Sequence, residues 1–396
     1  MGGGGNRGRD LFNTYTTAGT PGDESWAPDF TYFGMQWVQV AGLPEGYVPT
    51  KDTVTGLRVQ ASTPVAGEVT TSNARVNRIH TMARYSFAGN VMSVFTDCPG
   101  REKLSYPADY TMPMGAIHRN DDLDAYLRTT MRHLVEGQSI ADTPMAGNVA
   151  LKTPVYDWGY SGRFGDEINW GNAIVLVPAM LYELYGDTDV MTRYYDRMVD
   201  FVDYIQRQKA VGNIVDAALA DWVSAEQTSG RITGTWGWYV TVTKLAMMAK
   251  LTGHDADAAT YTTLADDIRA AFNAAFYNTT LRRYTADGNA GTTGATQAAQ
   301  ALALDAGLVP DGERGAVLDA LVELVYAFHP NGTGPHFSGG TIGMAPTVRA
   351  LADGGRDDVL WDLLQPDDQP SYGFFMAPTV ANPGGHDHHG GAVEPR

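Results

Sequence analysis

From about Asn73 onward the apolar positions recur at helical spacing. Val76, Ile79 and Met82/Ala83 share one face, Leu123, Tyr126/Leu127, Met131 and Leu134 a second, and Met191, Tyr194/Tyr195, Met198, Phe201/Val202 and Ile205 a third. The same period predicts further helices at 234–252, 255–277, 294–306, 313–328, 341–353 and 356–365. Glycine marks the ends of several, in Tyr185-Gly186-Asp187, Leu251-Thr252-Gly253 and Asp305-Ala306-Gly307, where a left-handed C-cap is expected. Upstream the pattern differs: Phe30-Thr31-Tyr32-Phe33-Gly34-Met35-Gln36-Trp37-Val38-Gln39-Val40 mixes aromatic and β-branched residues with partial alternation, and a second strand is expected near Val54–Val59. Two or three strands make no stable sandwich alone, so this piece reads as the tail of a β-domain.

A long run of helices paired by loops fits a solenoid, a bundle or a closed ring of helical hairpins. No self-similarity recurs at a fixed period, which argues against the solenoid. Long loops carrying aromatic and acidic residues, 152–170 and 214–238, favour a toroid with a loop-lined cleft, since functional residues gather on loops held by a rigid scaffold. The length of 396 residues allows two to three domains at roughly 100–200 residues each. A hydrophobic share of 43% against 18% charged is globular and excludes disorder for the bulk of the chain. With 28 Lys plus Arg against 45 Asp plus Glu, the net charge of −17 repels phosphate backbones and anionic membranes, so neither nucleic acid nor a membrane is expected as partner. The single cysteine, Cys98, allows no intrachain disulfide and no cysteine-based zinc site. Gly-rich ends, with His386, His388 and His389 near the close, read as the ragged ends of a fragment; the histidines are not expected to bind a metal.

The stretch Thr96-Asp97-Cys98-Pro99-Gly100-Arg101-Glu102-Lys103-Leu104-Ser105-Tyr106-Pro107-Ala108-Asp109 interleaves Asp97, Glu102 and Asp109 with Arg101 and Lys103. It reads either as a charged surface loop or as a catalytic one. Glycosidic bond cleavage needs a carboxylic acid to protonate the leaving oxygen and a carboxylate working on the opposite face. A loop that gathers several acids raises one pKa by burial and repulsion while basic neighbours keep others ionised.

Asp97-Cys98-Pro99 followed by Arg101-Glu102-Lys103-Leu104 resembles the acidic motif of the bacterial α-L-rhamnosidases of glycoside hydrolase family 78. Downstream, Trp170-Gly171-Asn172 to Pro178 with Tyr185-Gly186-Asp187, then Thr296-Gln297, Leu302-Ala303-Leu304, Gly307-Leu308-Val309-Pro310, Gly339-Gly340 and Pro370-Ser371-Tyr372-Gly373, are similar to its later segments. Trp26, Pro28, Phe30-Thr31-Tyr32 and Gly34 resemble the end of the β-domain before the barrel. The resemblance implies a mainly α chain, an (α/α)6 barrel or six-hairpin toroid, with a short N-terminal β-sandwich remnant. Residues 1–72 would be the remnant, 73–380 the catalytic barrel lacking its last hairpin, and 381–396 an irregular tail. It implies a hydrolase that removes terminal α-L-rhamnose with inversion and no cofactor, its partner a rhamnose-containing carbohydrate. Glu102 matches the general acid, and Asp97 and Asp109 match acids that hold the sugar hydroxyls. The family's base glutamate, expected after the Ser-Tyr-Gly turn, has no match; Glu394 is the sole glutamate there, in a different context.

Ser105-Tyr106 stand where the family often has Gly-Trp, and Asn172 where others have Asp or Ser. Further candidates for the cleft are Arg101, Tyr106, Asp166, Glu167, Trp170, Asp221 with Trp222, Trp236 with Trp238, and His336, and also Tyr156, Asp157 and Trp158; each also reads as core packing or a helix-end acid. Tyr106 with His118 and Arg119 would also suit a lyase that abstracts a proton beside a uronate carboxylate. A third reading is a carbohydrate-binding protein without turnover.

Overall fold

The computed structural model describes residues 12–35, 38–139, 143–155, 165–332 and 334–376. Helix α1 (Ala74–Ala88) is followed by the short α2 (Pro107–Thr111) and α3 (Met114–Ile117), then α4 (Asp124–Glu136), α5 (Ile168–Gly171), α6 (Ala173–Tyr185), α7 (Asp189–Arg193) and α8 (Tyr195–Gln208). Next come α9 (Gly230–Leu251), α10 (Asp255–Phe276), a hairpin of β1 (Tyr277–Asn278) and β2 (Arg283–Tyr284), α11 (Gln297–Asp305), α12 (Arg314–Ala327), α13 (Met344–Asp353), α14 (Asp357–Leu363) and α15 (Tyr372–Met376). In the hairpin Tyr277 pairs with Tyr284 and Asn278 with Arg283, antiparallel.

The helices sort into two layers by how their apolar residues are distributed. In α6 burial is continuous from Ala173 to Ala179, and in α11 from Gln297 to Leu304. In α9 residues Ile232 to Trp238 are all buried, with Thr241, Val242, Leu245 and Met248 beyond them. A helix that hides every side has to be enclosed by others. These inner helices touch in succession, α6 on α9, α9 on α11 and α11 on α13. Their sheath is one-sided: α8 buries Met198, Phe201, Val202, Tyr204 and Ile205 while Asp196 and Arg207 stay outside, and α10, α12 and α14 lie against α9, α11 and α13. The result is a double-layered helical ring, the architecture that the long loops favour among those open to a run of helices.

Caps fix where helices begin. Ser229 and Thr296 accept from Arg231 N and Ala299 N, so α9 starts before residue 234 and α11 after 294. The expected left-handed ends are present, with φ of 70° at Gly186, 82° at Gly253 and 71° at Gly307. Two helix expectations are corrected. The periodic run near 191–205 is broken at Tyr194 into α7 and α8, and α15 forms after residue 366, where none was expected.

The β expectation is also corrected in detail. Among the described residues of 12–72 no paired strand forms, and Val38, Val40, Leu57 and Val59 are exposed. A strand needs a partner for its ladder, and no second strand lies alongside. The segment instead lies along the helical ring, through Ala61 N to Val91 O (2.7 Å), Asp122 N to Pro64 O (2.8 Å) and Ala66 N to Asn120 O (2.9 Å). Among the described residues no helix is long and apolar enough to cross a membrane.

The first helix meets the last described ones through arginine. Arg75 on α1 donates from Nε to Leu364 O (2.6 Å) and from Nη2 to Pro366 O (2.7 Å) and Asp367 Oδ1 (2.8 Å), while Arg78 Nη2 reaches Met376 O (2.6 Å). Gly373 makes room: a Cβ there would lie 2.4 Å from Arg75 Nη2 and 2.3 Å from Pro366 O. Arg75→Ala removes charged donors from two carbonyls and should cost about 2 kcal/mol, at 1.5–3 kcal/mol per such bond less solvent replacement. Hydrogen exchange is expected to quicken in 364–376 and stay unchanged in α9 and α11; uniform change throughout would refute this local role.

Candidate active site

The acid loop is built by its own hydrogen bonds. Asp97 N donates to Leu104 O (2.9 Å) and Leu104 N returns to Asp97 Oδ1 (3.0 Å), closing the loop at its neck. The Cys98 thiol donates to Asp97 Oδ2 (3.0 Å) and accepts from Glu102 N (3.3 Å). Tyr106 then precedes α2, whose first residue is Pro107, so that Asp109 falls in the first turn. Four residues apart, the Tyr106 hydroxyl donates to Glu102 Oε2 at 2.7 Å. A bond from Thr153 N to Ser105 O (3.1 Å) ties the loop to the chain after α4.

A cavity of about 5000 Å³ opens over this loop, between the N-terminal segment and the helical ring. Asp97, Glu102, Tyr106 and Asp109 line it, Arg101 stands exposed at it, and Trp170, 2% exposed, closes its floor. Trp222 and the chain at 339–341 line it from the ring's second half. Asp221 holds that side in place: fully buried, it accepts from Gly340 N (2.9 Å), Ile342 N (3.0 Å) and Gly343 N (2.9 Å) ahead of α13.

The electrostatics separate the acids. The Asp109 side chain is open to the cavity but crowded by protein elsewhere. That burial, with the Asp97 charge, pushes its carboxyl up to about 7 against a hydrogen bond from the Trp170 side chain. Burial raises Asp97 as well, opposed by its bonds from Cys98 and Leu104. The Tyr106 phenol is driven upward by burial and by its bond to Glu102, so it serves as a donor and is ill suited to act as a base. An acid that keeps its proton near neutrality, as Asp109 does, is one electrostatic requirement of acid/base chemistry.

Residues 64–379 match the sequence model of the bacterial alpha-L-rhamnosidase 6 hairpin glycosidase domain, and residues 6–60 that of the bacterial alpha-L-rhamnosidase concanavalin-like domain. The chain belongs to the bacterial α-L-rhamnosidase family. An alpha-L-rhamnosidase of Streptomyces avermitilis is 30% identical over 368 residues, which are 91% of this chain and 33% of that protein. The alpha-L-rhamnosidase structure from Dictyoglumus thermophilum aligns with a TM-score of 0.75 at 26% identity, covering 84% of this chain and 36% of that one. The Streptomyces avermitilis alpha-L-rhamnosidase structure complexed with L-rhamnose aligns at 0.69 with 28% identity, covering 80% and 29%. The double-layered ring is thus the six-hairpin α/α barrel of this family, and the chain spans about a third of the length of such relatives.

Within this rhamnosidase-family fold the cavity brings together Asp97, Arg101, Glu102, Tyr106, Asp109, Trp170 and Trp222 from among the candidates. Four other expected residues lie elsewhere. Asp166 is paired with Lys209 Nζ (2.8 Å) and Tyr204 OH (2.7 Å), both on the α8 side. Glu167, 2% exposed, spends Oε2 on Leu219 N (2.9 Å) and is pushed up to about 7 by burial. Trp236 is packed in the core with Ile232. His336 is buried with Nε2 at 3.1 Å from Asp368 Oδ1. Trp238 is core, and His118 does not line the cavity although Arg119 does. Tyr156, Asp157, Trp158, Glu394 and the terminal histidines lie outside the described residues.

Sequence reasoning missed Lys152. It is 1% exposed, lines the cavity, and places Nζ 5.8 Å from the Tyr106 ring centroid; burial lowers its pKa and the Glu102 charge opposes that. Its signal is a lone lysine closing the apolar run Val149-Ala150-Leu151.

Asp109 makes stability depend on pH. An unfolded aspartate ionises near 3.8 and folded Asp109 near 7, so across that window the folded state holds the extra proton and stability falls as pH rises. Asp109→Asn should lose less stability than wild type between the two ends of the window, read as urea midpoints; Glu167 leaves a residual slope in both. Identical losses would show that Asp109 titrates normally.

Proposed function

We propose that this cleft removes terminal α-L-rhamnose from glycosides by inverting acid/base catalysis. The observation that carries the reading is Glu102, presented to the cavity with its Oε2 held by the Tyr106 hydroxyl at 2.7 Å and with Asp97 and Asp109 in the same cavity. Glu102 protonates the glycosidic oxygen as the bond breaks; Tyr106 fixes one carboxyl oxygen and so aims the other. Asp97 and Asp109 hold sugar hydroxyls, Arg101 binds at the rim, and the faces of Tyr106 and Trp222 form the sugar-stacking wall above Trp170 in the floor. Inversion calls for a water activated on the opposite face. No cofactor takes part.

The same proposal divides the chain into a β-sandwich remnant at 1–72, the catalytic barrel at 73–380 and a tail at 381–396. Support comes from the first helix beginning at Ala74.

The test follows free rhamnose and ultraviolet absorbance together, with a rhamnosyl-glucuronate disaccharide and a neutral rhamnoside as substrates. A version carrying a complete last hairpin, and with it the base glutamate that has no match in this sequence, is expected to release rhamnose from the neutral rhamnoside without absorbance. Glu102→Gln, which keeps shape and removes the acid, should slow a poor-leaving-group substrate by about 10²–10⁴ and an activated aryl rhamnoside far less. A severalfold loss on the poor leaving group would overturn the assignment of Glu102. Rhamnose with absorbance, from the uronate alone, would replace the hydrolase by a lyase; saturable binding without turnover would replace it by a binding protein.

A further inference from the structure

Tyr32, Phe33 and Gly34, from the segment ahead of the barrel, lie across the acid loop and meet it along its whole length. The Tyr32 hydroxyl bonds with Thr96, just before Asp97. Gly34 N donates to Pro99 O (3.1 Å) near the middle, so closely that a Cβ on Gly34 would sit 2.8 Å from Pro99 Cγ. At the far end the Lys103 ammonium donates to Tyr32 O (2.5 Å) and lies 4.5 Å and 5.1 Å from the ring centroids of Tyr32 and Phe33.

Lys103 is also unusual in its backbone. Its φ of +56° is left-handed, a region that a long side chain seldom occupies without a compensating interaction. This residue stands between Glu102 and Leu104, so its turn lets Leu104 N reach Asp97 Oδ1 while Glu102 continues toward Tyr106. Lys103 itself is not among the residues that line the cavity.

We propose that Lys103, clasped by Tyr32 and Phe33, is a positioning residue through which the N-terminal segment sets the shape of the acid loop. The clasp trades a strained turn for a cation seated between two aromatic faces, and Asp97 and Glu102 are presented on either side of it. Its effect on sugar binding rests on the function proposed above; its effect on the loop does not.

Amide exchange on the full chain tests the clasp directly. In Lys103→Met, exchange across 97–104 should speed by about tenfold or more, with α6 unchanged as a control for folding. Lys103→Arg, which keeps a cation, should restore wild-type rates. Lys103→Asn tolerates the left-handed turn but is too short to reach the rings, and should behave as Met does. Wild-type protection in Lys103→Met, or in Lys103→Asn, would overturn the proposal, the latter by showing that backbone conformation alone suffices. Should Lys103→Met not fold, the double change Tyr32→Leu with Phe33→Leu keeps the lysine and removes the faces, and must loosen the same residues. Calorimetry with L-rhamnose adds the functional readout: the dissociation constant should rise about tenfold in Lys103→Met. Absence of binding to wild type would sink the rhamnosidase reading and leave the clasp to the exchange result. Wild-type affinity in a variant whose loop has loosened would overturn the link between loop shape and the site.

Discussion

The structure depends on enclosing helices that have no polar side. Helices α6, α9 and α11 bury residues around their full circumference, so each must be covered by a neighbour in its own layer and by an amphipathic helix outside it. That requirement leaves chemistry nowhere to go along the inner helices. Charged groups are displaced to the loops at their ends, where the acid loop, the chain at Lys152 and the turns at 221–222 and 339–341 meet around one opening.

The acids at that opening are held by unequal means. Asp221 is fully buried and accepts three backbone N–H bonds, so it serves the wall of the cleft rather than its contents. Asp97 shares its oxygens with Leu104 N and the Cys98 thiol, whereas Asp109 meets the Trp170 side chain and open cavity. Burial is the largest influence on all three and pushes each upward, and the donors that each accepts from act against it. Tyr106 contributes in a similar way by giving its proton to Glu102 in a hydrogen bond that fixes where the acid points.

Much of this architecture was legible because it is local. The period of Leu127 to Leu134, the glycines at 186, 253 and 307 and the spacing of Asp97, Glu102 and Asp109 each concern a few neighbouring residues. What failed was long-range. Asp166 and Glu167 look like cleft acids until Lys209, Tyr204 and Leu219 are brought to them from other parts of the ring. Trp236 and His336 sit near loops in sequence yet inside the core in space. The strand-like residues 30–35 and 38–40 have the right composition, and among the described residues no second strand lies beside them. Lys152 was hidden for the opposite reason, since its one local mark, a lone lysine closing an apolar run, does not say what the ammonium will face.

The closure of the ring differs in kind from the rest of it. Elsewhere neighbouring helices meet chiefly through buried apolar side chains, with ion pairs such as Arg349–Asp305 beside them, but α1 reaches the residues after α14 through Arg75 and Arg78, long side chains donating to carbonyl oxygens. Of α1 itself only Ala88 is buried. Hydrogen bonds of this sort exchange readily with water once strained, whereas apolar packing resists until it yields cooperatively. The toroid therefore has a zipper whose slider sits at Arg75: mechanical or thermal stress would part the ring there first, leaving the remaining arc to come undone hairpin by hairpin from its two free ends, as a linear array of repeats does.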